Sequence, residues 1–312
     1  MENKVLNDTQ YDNEIDLREL LGILWAGRRK IVAISAVFAL AFIIYSYSLS
    51  NQYKAAALLA PAQFDNSDIS GALGQMGGLA SLAGVSINGS GQGSEAQIAQ
   101  EIMKSWSFIE NFITENDIAV EVYAAEGWNR GSNELQIDTD LYNPETKTWL
   151  VANVNTGKLG PPSSWTLFES FSERLSVSED VELGLVSVSI EHYSPKLAKE
   201  WLDKYVAAIN KHMQLRQVEK ATNNINYLQI QAEKTSIAEM RDIFYSLIGE
   251  QVKNKMVAEA SPDYALVVVS PSMVPEVKSR PSRVLITIFG TLLGGILSGL
   301  LVIVTHYARK SD

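Results

Sequence analysis

A chain of 312 residues with 46% hydrophobic content is long enough for one large domain or two small ones with a real core. Its formal charge of −10 argues against nucleic acid as a partner. With no cysteine and only three histidines (His192, His212, His306), disulfides, thiolate ligands, cysteine nucleophiles and a histidine metal cluster are all set aside.

Along the chain, residues 1–30 form a polar leader that reads as a cytoplasmic tail, with Glu14, Asp16 and Glu19 as a solvated face. Residues 31–49 then carry no charge over nineteen positions, enough to cross a hydrocarbon layer of about 30 Å as a helix. The polar leader is too long, and the apolar run too extended, for a cleaved signal peptide. Arg28, Arg29 and Lys30 abut this run while Lys54 stands alone beyond it, so the basic flank places the N-terminus in the cytoplasm. Trp25 suits an interfacial anchor.

After this first span (31–50), QYKAAALLAP (52–61) reads as a strand ending at Pro61. The stretch 71–93 is rich in glycine but lacks the lysine and hydroxyl of a phosphate loop, so it reads as a loop with an apolar patch at Leu79, Leu82, Val85 and Ile87. Residues 94–116 place Ile98, Ile102, Trp106, Ile109 and Ile113 on one helical face. Asn143-Pro144 and Gly160-Pro161-Pro162 mark turns, and Trp165 to Leu175 a short helix. Residues 183–193 alternate with period two, as a half-buried strand does.

Ser194-Pro195 supplies a helix cap with proline in the first turn. From there to about Ala258 no proline appears, and the apolar spacing predicts a helix over about 195–258, roughly 95 Å long at 1.5 Å per residue. Such a length implies an extended stalk or contact between subunits, with Leu228, Met240, Phe244 and Leu247 as candidate contacts. The alternative is a hairpin broken near Thr222–Asn224, where helix propensity is poor. Tyr264 to Ser270 reads as a strand that pairs with 52–60. Pro271, Pro275 and Pro281 stiffen the connector that follows, ahead of a second span over 284–306 and a cytoplasmic tail over 307–312. Within that span, Gly290, Gly294, Gly295 and Gly299 give two G-x-x-x-G spacings suited to close helix packing. Residues 51–283 are thereby expected outside the cytoplasm, which for a Gram-negative cell is the periplasm.

No nucleophile elbow, zinc-protease or kinase signature occurs, and Glu179, Asp180 and Glu182 read as a solvated turn. The expectation is a protein without a catalytic site, a cofactor or a metal. A sensory receptor shares the two-span plan but needs a cytoplasmic output module, which the short tails do not provide.

Several segments carry a resemblance in order and spacing: IDLRELLGILWAGRRKI (15–31), YKAAALLAP (53–61), residues 168–203, residues 232–268, SPSMVPEVKSRPSR (270–283) and the glycine-rich second span. Together they resemble the Wzz family of polysaccharide co-polymerases, the chain length determinants of lipopolysaccharide O-antigen. The resemblance implies an α+β periplasmic domain with a very long projecting helix, anchored by two transmembrane helices. It implies subunits assembled side by side as a homo-oligomeric ring, a Wzy-type O-antigen polymerase as partner, and a growing polysaccharide or undecaprenyl-linked glycan as the object of control. Related exopolysaccharide proteins carry a tyrosine kinase domain that is not expected here. Capsule or exopolysaccharide export with a separate kinase is the alternative function.

Overall fold

In the computed structural model, residues 17–62, 91–153, 157–180 and 182–311 are described. The glycine-rich stretch with Leu79, Leu82, Val85 and Ile87, and the acidic pair Glu14 and Asp16, lie outside them. The chain divides into two compact units. One comprises the residues up to Ser50 together with those from Pro281 onward; the other is Asn51–Arg280.

The first unit holds α1 (Leu17–Ala26), α2 (Arg28–Ser48) and the last helix, α9 (Arg283–Ser311). Among the described residues, α2 and α9 are the two helices long and apolar enough to cross a membrane. Their apolar side chains are largely outward, with Val32, Val37, Leu40, Ile44, Leu285, Phe289 and Leu297 all exposed. A helix that is apolar all round and open on most sides suits lipid better than a protein core.

The second unit is built on a four-stranded antiparallel sheet in the order β6-β7-β1-β8. Its strands are β1 (Tyr53–Pro61), β6 (Leu175–Asp180), β7 (Leu185–His192) and β8 (Leu266–Ser270). Alternation sets the register: Ala55, Ala57 and Leu59 on β1, with Val186, Val188 and Ile190 on β7, point into the core. Strand β8 pairs with β1 as expected, with a register shift at Leu58/Leu59. The β6–β7 turn is held by Asp180, whose Oδ1 accepts from Glu182 N at 3.0 Å and Leu183 N at 3.1 Å, and Gly184 supplies the positive φ that closes it.

The helix expected over 94–116 is two helices, α3 (Gly91–Lys104) and α4 (Trp106–Glu115). The break falls at Ser105, whose extended backbone and Oγ cap the amide of Phe108. The kink turns Phe108, Ile109, Phe112 and Ile113 into the core and leaves Trp106 45% exposed, its Nε1 donating to Ser164 Oγ at 2.9 Å. Between α4 and β6 lie α5 (Ala119–Tyr123), the small hairpins β2 (Ala125–Asn129) with β3 (Glu134–Ile137) and β4 (Tyr142–Asn143) with β5 (Thr148–Trp149), and α6 (Ser164–Ser172).

The largest departure concerns the helix predicted over about 195–258. It begins as expected, with Ser194 Oγ accepting from Leu197 N, but ends at Lys234. Here α7 (Pro195–Lys234) is followed by an extended break at Thr235–Ile237 and then by α8 (Ala238–Ala260). The pairs Asn224–Gln251 and Gln214–Ala258 make the two helices antiparallel, a hairpin in place of one continuous rod. Its longer arm is roughly 60 Å by helical rise. Thr235 and Ile237, both β-branched and both in extended conformation, terminate the arms.

Candidate functional site

The core that positions the hairpin is aromatic. Tyr205 on α7 meets Phe112 at 4.8 Å, Phe108 at 5.2 Å and Phe171 at 5.5 Å between ring centroids, and its hydroxyl donates to Met103 O. Burial pushes the Tyr205 hydroxyl pKa up, so it stays a neutral donor. One turn further along α7, buried Asn210 does what a neighbouring strand would do. Its Oδ1 accepts from Leu266 N at 2.9 Å and Ala265 N at 3.1 Å, and its Nδ2 donates to Leu266 O at 2.7 Å. Gln214 then donates to Ala258 O at 2.9 Å and Ser261 O at 3.2 Å, satisfying carbonyls at the end of α8. Sequence reasoning missed both residues, because nothing local distinguishes them from solvent-facing polar positions.

Beyond Met213, the buried residues of α7 are Ala221 and Ala232. With half-buried Ile225 and Leu228 they form the stripe facing α8, which answers with half-buried Phe244 and Ile248 and buried Ala258. The four residues expected at stalk contacts therefore divide. Leu228 and Phe244 lie in the seam of the chain's own hairpin. Met240 and Leu247 are exposed at 41% and 40%, on a lane with Ile243 at 52%. Their i, i+3, i+7 spacing makes an exposed apolar stripe along α8.

The proline connector has two parts. Pro271 and Pro275 lie in a segment without helix or strand, where buried Ser272 donates through Oγ to Asp203 on α7. Its far end is tied to the start of β1: Gln52 N donates to Arg280 O at 2.9 Å, and Ser279 N donates to Gln52 O at 2.8 Å. The Arg280 guanidinium pairs with Glu191 at 2.9 Å. In the other unit, Pro281 precedes α9, and the Arg283 guanidinium stacks over Tyr47 with its carbon 4.5 Å from the ring centroid.

The four glycines of α9 face α2 and α1. A Cβ on Gly290 would stand 2.1 Å from Phe42 Cγ, and one on Gly294 2.6 Å from Phe38 Cβ. At Gly295 and Gly299 the nearest atoms, Ser35 Oγ and Leu24 Cδ2, are at ordinary contact distances of 3.7 and 3.6 Å. Two of the four glycines thus make room for phenylalanine rings; the other two would tolerate a methyl group.

At the foot of the sheet, His192 is fully buried against Trp201, 4.6 Å between ring centroids. Ser194 N donates to its Nδ1 at 3.0 Å, so the proton sits on Nε2, which faces Glu121 O at 3.3 Å. Burial first, and the Arg174 charge second, depress its pKa to about 3. This histidine is a neutral structural link; it is neither a base nor a ligand. Among the described residues no group of three or more His, Asp or Glu side chains is placed to hold a metal ion.

Residues 13–116, about a third of the chain, match the family model Wzz, chain length determinant protein. That is the family the sequence resembles. No curated protein matches. Among solved structures, a full-length bacterial polysaccharide co-polymerase covers 95% of this chain and 99% of its own, at 14% identity and a TM-score of 0.38. A fragment of WzzB, a polysaccharide co-polymerase from Salmonella Typhimurium, covers 74% and 100% at 14% identity and a TM-score of 0.26.

Proposed function

We propose that this chain is a non-enzymatic chain length regulator of polysaccharide synthesis, a co-polymerase subunit anchored by α2 and α9 in a bacterial inner membrane. The observation that carries the reading is the match of residues 13–116 to the chain length determinant model. The two apolar helices and the long hairpin are compatible with it. In this reading the unit Asn51–Arg280 lies in the periplasm, and both termini are cytoplasmic, following the basic flank Arg28–Lys30. The polymer is lipopolysaccharide O-antigen, elongated by a Wzy-type polymerase on an undecaprenyl carrier.

Subunits associate through the exposed stripe Met240, Ile243 and Leu247, side by side in a ring. A ring of hairpins presents one surface many times over to a growing glycan, and the strength of its contacts biases when elongation ends. The test is an electrophoretic ladder of lipopolysaccharide from a deletion strain, the complemented strain and a strain carrying Leu247→Asp. A clustered length distribution that becomes graded on deletion and returns on complementation supports the reading. An unchanged ladder with loss of capsule or exopolysaccharide moves the substrate to that polymer. An unchanged ladder with every surface glycan intact overturns the proposal.

A further inference from the structure

At one end of the membrane unit, α1, α2 and α9 enclose an open cleft of about 480 Å³ lined by Ile23, Gly27, Lys30, Val302, Thr305 and His306. Its floor is apolar and closed: Ile23 and Val302 are both buried, and a Cβ on Gly27 would stand 2.4 Å from Val302 Cγ1. Its rim is polar, with Lys30 on α2 and Thr305 and His306 on α9, and none of the described residues lining it is acidic. The outer face of α1 exposes Leu21 and Trp25, and the Arg28 guanidinium lies 5.1 Å from the Trp25 ring centroid. An apolar face ending in a tryptophan with a cation over it is the pattern of a helix lying at headgroup depth. From the same cleft, exposed Leu301 and Val304 lead along α9 as an apolar surface for chains.

We propose that this cleft holds the headgroup of an anionic phospholipid, the phosphate beside Lys30 and His306 on the rim and the acyl chains along α9. Charge complementarity commits it to that occupant: the rim offers an ammonium and an imidazole, none of its described lining residues is a carboxylate, and Arg28 and Arg29 add positive potential nearby. The lipid ties α1 to α9, so headgroup composition bears on how firmly the N-terminal helix is docked. The inference rests on the membrane-spanning reading of α2 and α9.

The test uses the full chain in nanodiscs of phosphatidylcholine containing a minority of phosphatidylglycerol, with retained lipid counted by native mass spectrometry. Wild type is expected to retain phosphatidylglycerol in excess of its share of the bilayer. Lys30→Gln combined with His306→Gln lowers that retention at least about fivefold, from roughly 1 kcal/mol for the lysine at the membrane surface together with loss of the imidazole contact. Ala26→Phe, at another residue lining the cleft, fills it with its charges intact and lowers retention similarly. Arg29→Gln, which does not line the cleft, lowers it less than the double variant does. Equal loss in Arg29→Gln, no enrichment in wild type, or displacement of the lipid by inorganic phosphate alone overturns the proposal. Failure of the membrane reading is seen separately, as a chain that does not enter phosphatidylcholine nanodiscs at all.

Discussion

Replacing Asn210 by leucine tests how the helical hairpin is fixed to the sheet. Leucine fills nearly the same volume, so the change removes hydrogen bonds with little new cavity. Four bonds are lost, one of them a long one to Asp263 at 3.4 Å, and the amides of Ala265 and Leu266 lose the acceptor at 3.1 and 2.9 Å that satisfies them. A buried amide left without a partner costs about 1–3 kcal/mol, so two orphaned donors predict a loss of about 3 kcal/mol. The loss is local, because Asn210 joins α7 to β8 and to nothing else of the sheet. Amide hydrogen exchange of the full chain in detergent micelles, read on peptides covering 261–270, is expected to accelerate roughly a hundredfold. Peptides from β7 serve as the internal reference and change far less. Exchange at Ala265 and Leu266 within about fivefold of wild type would mean that β8 is held by its pairing with β1, and that the clamp contributes little.

The remaining predictions concern the seam, the membrane pair and acid stability. Leu228→Asp puts a charge in the hairpin seam and is expected to destabilise α7 and α8 by about 3 kcal/mol or more, seen as lost helicity in circular dichroism. Leu247→Asp leaves helicity intact and weakens subunit association in cross-linking of membranes; lost helicity there would refute the division between seam and outer stripe. Gly290→Ala is expected to cost about 1–3 kcal/mol in detergent stability because its Cβ falls on the Phe42 ring, and Phe42→Ala should restore most of that loss. His192 binds a proton near pH 6.5 when unfolded and only near pH 3 when folded. The stability it leaves intact above pH 6.5 is therefore lost as pH falls between those values, at up to about 1.4 kcal/mol per unit. Thermal melts from pH 7 to pH 5 should show a fall of about 2 kcal/mol from this group, and His192→Gln should flatten that slope.

Much of the fold was legible because it follows local rules. Period-two alternation found β7, short apolar runs found β1 and β8, Ser194-Pro195 found the start of α7, and unbroken apolar runs found α2 and α9. The end of α7 was not legible. Thr222–Asn224 has poor helix propensity, yet Thr222 Oγ1 donates back to Val218 O at 2.7 Å and Asn224 Nδ2 reaches Gln251 at 3.2 Å, so the polar groups are satisfied within the hairpin. The break falls instead at Thr235–Ile237, three weak helix formers that the apolar spacing on either side concealed. Of the site residues, Gly290 and Gly294 could be read from spacing. The division of Leu228 and Phe244 from Met240 and Leu247 could not, since it depends on which face meets the returning helix. Arg174, His192, Asn210 and Gln214 were missed for the same reason: each acts through a partner more than forty residues away.

The bridge between Gln52 and Arg280 gives the unit Asn51–Arg280 a mechanical character. Its entrance and exit leave the sheet side by side, from antiparallel neighbours β1 and β8. Tension applied through those two ends loads the bonds one at a time, as a zipper is loaded, rather than many together in shear. The first to part are the Gln52–Arg280 and Gln52–Ser279 hydrogen bonds, while the Arg280–Glu191 pair holds the end of the connector to β7. The same adjacency makes the ends joinable: a short linker from 280 to 51, with new termini opened in the β4–β5 turn, should yield a permuted unit with its sheet order intact.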